Sequence, residues 1–309
     1  MITVAGFNTA IDRFLHLDAL KPGEVHRVRA EQVYPGGKGV HVAQTIAALG
    51  EPVQLVGLVD VAHRKLIRQR MSERGVSFHG VEIAGELRHC LALQDATGCI
   101  TEILGQGPLL SQAECDALLR DVRRSIDESD LVILSGSLPR GFADTTYAEL
   151  ASYVKSLGIR CLVDASGAAM RHALDAQPFL VKPNRDEISE LRGKLVADRD
   201  AAVEAVRELR AQGVAMPVVS LGALGAIAGD ASGIWHAELS LDQVRNTVGS
   251  GDCLLAGIAV GIVRGMNLED ILRWGAACGA ANAQGEETGF VERRTVEALL
   301  PQVRVQRLA

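Results

Sequence analysis

The sequence predicts an α/β protein: a doubly wound, mostly parallel sheet with helices on both faces, plus a small β-sheet lid. Three observations lead there. Short apolar runs alternate with amphipathic helical patterns along most of the chain. These runs are rich in Val, Ile and Leu with little polar alternation, as expected of strands covered on both faces. Two stretches break the rhythm with segments closer to a two-residue period.

The expected strands of the main sheet are residues 2–7, 53–58, 131–135, 160–164, 179–182, 217–221 and 226–229. Helical patterns over 39–49, 113–125, 146–156 and 201–212 lie between them. From 247 to 284 the chain turns helical, with helices expected over 251–264 and 268–284, where many Ala and Gly residues permit close packing. The irregular stretches are 15–34 and 87–104. In the second, 89–94 and 99–104 flank Asp95-Ala-Thr-Gly98, which reads as a hairpin turn. Both stretches are expected to give antiparallel strands to one small sheet. That sheet would be an insertion, at about 12–34 and 87–105, projecting from a single domain over 1–309. It reads as a lid or as a bare edge hairpin.

Composition sets limits on function. Of 309 residues, 48% are hydrophobic and only 4% aromatic, so a sizeable core is possible and must be aliphatic. The formal charge is −6 with no run of Lys or Arg, which excludes nucleic-acid binding by a basic stripe. An anionic substrate would need locally placed cations. The six cysteines form no C-x-x-C pair, so a thiolate metal site is not expected and a reducing cytoplasm is. Neither a secretory leader nor an uninterrupted apolar span is expected.

The segment richest in chemistry is Asn246-Thr-Val-Gly-Ser-Gly-Asp252, which runs directly into an apolar helix. Gly249, Ser250 and Gly251 let successive N–H groups point into one concavity, and a helix N-terminus adds a positive dipole end. Together they form an anion hole suited to phosphate oxygens, with Asp252 beside it as a base. A helix cap is the other reading of Asp252. Tyr34-Pro-Gly-Gly-Lys-Gly-Val-His41 also enters a helix through glycines, and Lys38 supplies a point charge for an anion, or a solvated surface charge. It is neither a dinucleotide fingerprint nor a P-loop, since Gln32 stands where the latter needs glycine. In Val181-Lys-Pro-Asn-Arg-Asp-Glu187, Asn184 and Glu187 share one face of a first helical turn. They suit a hydrated Mg²⁺ or a capping box. Ser220-Leu-Gly-Ala-Leu-Gly225 is a strand with a tight glycine turn that could wrap a nucleotide or close a hairpin. Asp12 and Arg88 are charged residues at the base of the expected lid.

In this order, these motifs resemble the ribokinase/PfkB family of carbohydrate kinases. The resemblance runs along almost the whole chain, through Asn8-Thr-Ala-Ile-Asp12, Gly36-Gly-Lys-Gly39, Ser135-Gly-Ser-Leu-Pro139, Lys182-Pro-Asn184 with Glu187, Ser220-Leu-Gly222 and Gly249-Ser-Gly-Asp252. Tyr34-Pro-Gly-Gly-Lys-Gly39, Thr101-Glu-Ile-Leu-Gly-Gln-Gly-Pro108 and Asp164-Ala-Ser-Gly167 are similar to the branch of 1-phosphofructokinases and tagatose-6-phosphate kinases. The resemblance implies ATP-dependent phosphorylation of a ketohexose phosphate to the bisphosphate, with Mg²⁺, and a homodimer formed through the lid. A non-catalytic sugar-phosphate sensor is the competing class, and the retained Asp252 with its glycines argues against it.

Carried over by position, Asp252 would be the base and Gly249, Ser250 and Gly251 the anion hole. Asn184 and Glu187 would organise Mg²⁺. Lys182, Asn184, Ser220, Gly222, Gly225, Thr247, Gly251 and Asn282 would line the nucleotide, the last near the adenine. Asp12, Gly36, Gly37, His41 and Ser137 would contact the sugar. Lys38, Arg88 and Arg27, the last from a partner subunit, would hold its phosphate. The chain departs from the branch at several points. His41 stands where Asn is usual and Thr9 where Pro is common, and Leu87 and His89 flank Arg88 where Thr and Asn are common. These changes leave phosphoryl transfer intact and bear on the sugar.

Overall fold

The computed structural model describes all 309 residues. In chain order the strands are β1 (Ile2–Gly6), β2 (Ala10–His16), β3 (Ala30–Gly36), β4 (Val53–Val59), β5 (Ser77–Glu82), β6 (Arg88–Gln94), β7 (Ile100–Leu104), β8 (Leu131–Ser135), β9 (Arg160–Asp164), β10 (Leu180–Val181), β11 (Val218–Ser220), β12 (Ala226–Asp230), β13 (Gly233–Glu238) and β14 (Arg304–Arg307). The helices are α1 (Lys38–Ala48), α2 (Arg64–Glu73), α3 (Gln112–Ile126), α4 (Thr146–Ser156), α5 (Gly167–Asp175), α6 (Arg185–Arg192), α7 (Arg199–Ala211), α8 (Ser250–Val263), α9 (Leu268–Gln284) and α10 (Arg293–Leu299).

The central sheet has six parallel strands in the order β10-β9-β8-β1-β4-β5. Every residue of β1, β4 and β8 is buried, which is what an unalternating Val/Ile/Leu run becomes when helices cover both faces. The order reverses direction at β1, and the chain leaves the carboxyl ends of β1, β8 and β9 toward one crevice, where open α/β sheets place their sites. Helix α1 starts hard against the end of β1, because Gly39 and Gly6 meet there: a Cβ on Gly39 would lie 2.4 Å from the Gly6 Cα. No helix is long and apolar enough to cross a membrane.

Two expectations are corrected. Strands β11 and β12 do not extend the parallel sheet; they pair antiparallel in a separate four-stranded sheet, β11-β12-β13-β14. Apolar composition marked them as buried but carries no information on direction. Second, the sheet formed by the irregular stretches is mixed. Its order is β3-β2-β6-β7, with antiparallel outer pairs and a parallel central pair, β2 with β6. The sequence-distant halves each bring a hairpin, and joining two hairpins by their first strands makes that central pair parallel. The hairpin turn at Asp95 forms as expected, the carboxylate Oδ1 accepting from the Thr97 and Cys99 N–H groups at 2.9 and 3.1 Å.

Candidate active site

One cavity of about 900 Å³ opens where the carboxyl ends of the central strands meet the inner face of the β2/β3/β6/β7 sheet. Four helices begin on it: α1 at Gly37, α5 at Ser166, α6 at Asn184 and α8 at Gly249. Their N-terminal dipole ends make the cavity favourable to anions although the chain is acidic overall.

The α8 end is the most specialised. Gly249 adopts φ 81°, a left-handed conformation that a side chain would strain. The Gly249 and Gly251 N–H groups find no acceptor among backbone or side chains and are free for an anion. The loop before them is held from behind. Asn246 Oδ1 accepts from the Val248 N–H at 3.0 Å, and the Asn282 amide donates to the Val248 carbonyl and Ser250 Oγ, both at 2.9 Å. Asn282 is fully buried and outside the cavity. The expectation that it lies near the adenine is therefore corrected: its polar atoms are spent on shaping the anion loop.

A buried charge cluster occupies the floor. Lys38 Nζ lies 3.0 Å from Asp164 Oδ1 and 3.6 Å from Glu187 Oε1. Lys182 Nζ lies 3.2 Å from the other Asp164 oxygen. Burial alone would push the Lys38 ammonium down, but Asp164 and Glu187 overcome it and hold the group protonated. Burial would raise Asp164, and Lys182 and Lys38 keep it below the usual carboxylate range. Lys38 is therefore not the free cation expected to grip a sugar phosphate; its charge is committed to Asp164, beside Glu187.

Asn184 and Glu187 form a full capping box: Asn184 Oδ1 accepts from the Asp186 and Glu187 N–H groups at 2.9 and 2.8 Å, and Glu187 Oε2 accepts from the Asn184 N–H at 2.8 Å. The Asn184 oxygen thus has both lone pairs engaged, whereas Glu187 Oε1 remains on the cavity side.

On the opposite wall, Arg88 lies half-buried with no carboxylate partner. Its guanidinium donates to the Asn8 carbonyl at 3.1 Å and, weakly, to the Gly105 carbonyl at 3.4 Å. Asp12 is buried, and its Oδ1 has no partner. Gly36 sits behind it rather than in the cavity wall; a Cβ there would overlap the Asp12 carboxyl at 2.0 Å. His41 bridges Asp12 and Asp252, with Nε2 2.9 Å from Asp12 Oδ2 and Nδ1 2.8 Å from Asp252 Oδ2. Burial would lower the imidazole, but its hydrogen bonds to Asp12 and Asp252 raise it to about 10. Both nitrogens are occupied, so the expected hydrogen bond from His41 to a sugar hydroxyl is not available.

Gly37, Ser137, Lys182, Ser220, Gly222, Gly225, Thr247 and Ser250 also line the cavity. Arg27 does not: it is exposed in the 17–29 segment, away from the cavity of its own chain. Two residues at the site had no assigned role in the sequence reading. Asp164 was visible only as a motif landmark, and its value as a counter-ion depends on Lys38 at the start of α1 and Lys182 after β10 converging on it. Glu102, exposed on β7 at the cavity wall, carries a carboxyl raised by partial desolvation and by the charges of Asp12 and Asp252; an acid in an alternating strand gives no signal of this.

A profile described as "pfkB family carbohydrate kinase" matches residues 5–294. The chain belongs to the pfkB family of carbohydrate kinases. It is 32% identical, over the full length of both chains, to the 1-phosphofructokinase of Bacillus subtilis strain 168. Among solved structures it is similar to phosphofructokinase-2 of Escherichia coli in complex with substrates and products, with a TM-score of 0.89 at 26% identity, covering 97% of this chain and 98% of that one. The ribokinase of Arabidopsis thaliana complexed with ribose and ATP shares the fold, with a TM-score of 0.77 at 24% identity, covering 97% of this chain and 98% of that one. The family makes ATP the phosphoryl donor and explains why one cavity combines free N–H groups, a buried carboxylate and an unpaired guanidinium.

Proposed function

We propose that this pfkB kinase transfers the γ-phosphoryl group of ATP to a ketohexose phosphate to form the bisphosphate, in the manner of a 1-phosphofructokinase. The observation that carries the phosphosugar assignment is Arg88, a half-buried guanidinium on the cavity wall that no carboxylate neutralises. A charge left so is costly unless the ligand supplies the counter-charge, and a phosphate engages the guanidinium fork with two oxygens.

In this reading the sugar lies under the β2/β3/β6/β7 sheet, which acts as the lid, with a hydroxyl donating to the orphaned Asp12 Oδ1. Asp252 takes the proton of the attacked hydroxyl as the new O–P bond forms and the bond to the ADP oxygen breaks. The Gly249 and Gly251 N–H groups hold the oxygens of the moving phosphoryl group, and Lys38, already aligned by Asp164, adds positive charge on the nucleotide side. In the same reading Leu239, Leu241, Val244, Ala276, Ala280 and Ala283, which line the cavity, supply the apolar slot for the base.

A metal fits in a restricted way. Glu187 offers one carboxylate oxygen, Asn184 none, and no group of three acidic, His or Cys side chains is placed to ligate an ion. That donor set suits Mg²⁺ held mainly by phosphate oxygens and water, with Glu187 orienting a water. The bound ion would neutralise charge developing between the β- and γ-phosphates.

The lid strands and the 17–29 segment expose Val25, Val28, Val33 and Ile103. That supports a homodimer through the lid, in which Arg27 reaches the partner's sugar site. The unpaired cysteines, all but Cys99 buried, fit the cytoplasm.

The deciding experiment is a coupled ADP-release assay across fructose 1-phosphate, tagatose 6-phosphate, fructose 6-phosphate and the free ketoses. Fructose 1-phosphate is expected to give the highest kcat/KM. Preference for tagatose 6-phosphate would move the substrate within the branch. Equal activity on fructose and its 1-phosphate would overturn the phosphosugar assignment and leave the kinase.

A further inference from the structure

Two carboxylates with different tasks, Asp12 on the sugar and Asp252 on the proton, are tied to one imidazole. The His41 ring is buried, with only 4% of the residue exposed. It meets an acceptor oxygen at each nitrogen, at 2.8 and 2.9 Å. An ionised carboxylate oxygen can only accept a hydrogen bond, so each contact needs its own proton. The Asp12–His41–Asp252 unit therefore holds two protons in this arrangement, as an imidazolium between two carboxylates. A neutral ring would leave a lone pair facing a carboxylate on one side.

The site is built for this ring. Gly289, with φ 65°, lies flat against it, and a Cβ there would fall 2.1 Å from the imidazole Cγ. Gly289 is itself pinned: its carbonyl accepts from Gln44 Nε2 at 2.7 Å and its N–H donates to Asn282 Oδ1 at 2.8 Å. The ring uses one oxygen of each carboxylate. Asp12 Oδ1 stays buried without a partner, and the second oxygen of Asp252 enters no hydrogen bond.

We propose that His41 is a positioning residue: its imidazolium locks the sugar-gripping carboxylate and the base into one register and leaves one oxygen of each for the substrate. The proposal rests on the reading of Asp252 as the base. The ring touches neither the sugar nor the phosphoryl group; it acts through the two acids. It also offsets their charge where a doubly anionic sugar must enter. The other charged groups lining the cavity are Arg13 from β2, Lys38 from the ring's own helix, Arg88 from β6, Glu102 from β7, Lys182 after β10 and Glu187 from α6, and of these Glu102 feels the charge of the ring. During transfer Asp252 receives the hydroxyl proton on its free oxygen and passes it to solvent, while His41 keeps both of its own. An Asn at position 41 is neutral and carries both its N–H donors on one nitrogen, so it cannot span the two acids as the ring does, and a chain with Asn there must fix its base differently.

The raised proton affinity, to about 10, supports the same picture without carrying it. The ring should stay charged through neutral pH, and the lock should fail on the alkaline side.

The test uses the full-length protein with fructose 1-phosphate and ATP, measuring kcat and KM from pH 6 to 10.5 in wild type, H41N, H41Q and D252N. H41N and H41Q are expected to lose about 10–100-fold in kcat/KM, as a base displaced by about an ångström does. They should also lose the alkaline fall expected of wild type near pH 10. Nitrogen-15 spectra of histidine-labelled wild type at pH 8.5 should show one imidazole protonated at both nitrogens, where ordinary histidines are neutral, so the proposal remains testable if a variant misfolds. Wild-type-like kcat and an unchanged pH profile in H41N, or no doubly protonated ring at pH 8.5, would overturn the positioning role. D252N separates the two readings: retained turnover there sinks the base, whereas lost turnover in D252N beside full activity in H41N leaves the base standing and removes only His41's part.

Discussion

Asp164 is a single, fully buried carboxylate shared by two lysines, with Lys38 Nζ at 3.0 Å on one oxygen and Lys182 Nζ at 3.2 Å on the other. The three residues come from the start of α1, the end of β9 and the residue after β10, so the cluster ties the floor of the cavity to the sheet that carries it. Replacing Asp164 with Asn keeps the shape and leaves two ammonium groups against a neutral amide. Lys182 is 3% exposed and has no other carboxylate within ion-pair distance. Breaking a buried pair this way costs about 3–5 kcal/mol. D164N is expected to unfold at markedly lower denaturant and to lose kcat through a displaced Lys38. Chemical denaturation with parallel kinetics checks both, and an unchanged midpoint would show that water already screens the cluster.

Glu187 serves two functions at once, and one substitution separates them. Its Oε2 caps the Asn184 N–H at 2.8 Å while Oε1 sits on the cavity side, 3.6 Å from Lys38. Gln can fill the capping-box position equally well but carries no charge. E187Q is therefore expected to change stability by under about 1 kcal/mol and to raise the Mg²⁺ concentration needed for half-maximal rate several-fold. Titrating activity against free Mg²⁺ at fixed ATP, beside a thermal melt, reads the two effects separately. An unchanged Mg²⁺ dependence with a lowered melting point would make Glu187 a cap and nothing more.

Much of this architecture was legible in the chain because its signals are local. The apolar run at Leu131–Ser135 and the small-residue helix at Leu268–Gln284 appear with the boundaries their patterns imply. The anion loop was readable because glycine before a helix start has few other uses. What escaped was what arises only between distant segments. Strand β5, Ser77–Glu82, mixes His, Gly and Ser at the sheet edge, where one flank is exposed and the apolar signature fades. Helix α2 is so rich in Arg and other polar residues that only Ile67 and Met71 mark its inner face. His41 was visible as an unusual residue, but that both its nitrogens are taken depends on Asp12 and Asp252, which lie 29 and 211 residues away. Asn282 misled because a polar residue on an Ala-rich helix face reads as a ligand contact when it is in fact a buried brace.

The His41 bridge also predicts how stability depends on pH. The folded state holds this imidazole's proton to about 10, against about 6.5 for an ordinary histidine. A group with a raised folded value stabilises fully below its unfolded value, and that contribution is lost as pH rises through the folded one. Wild type should therefore lose stability progressively between about pH 6.5 and 10 relative to H41N, in which the titrating group is gone. The difference between the two denaturation midpoints, taken at half-unit intervals, isolates this group from the tyrosines and lysines that titrate in both proteins. A difference constant across that range would mean that the ring is neutral in the fold and bonded to one acid only.

Arg88 is the cation on which the substrate assignment turns, and it also fastens the lid. Its guanidinium holds the Asn8 carbonyl at 3.1 Å, linking β6 of the lid to the turn between β1 and β2, and leaves donors for a ligand. Alanine would remove both functions, so R88A alone would confuse a lost phosphate contact with a loosened lid. R88K retains the charge but not the fork, and R88Q retains two donors without the charge. A charged hydrogen bond is worth about 1.5–3 kcal/mol, or roughly 10–150-fold. R88Q is expected to raise KM for fructose 1-phosphate by that factor while leaving KM for ATP nearly unchanged, and R88K to fall between R88Q and wild type. Activity on free fructose should hardly move in either variant, because it has no phosphate to lose. Thermal melts within about 1 °C of wild type would show the lid still fastened, since a shift of that size corresponds to about 0.6 kcal/mol in a chain this long. Equal losses on fructose and fructose 1-phosphate would assign Arg88 to the lid alone and pass the phosphate to Arg27 of a second subunit, which the same kinetics on R27A would then report.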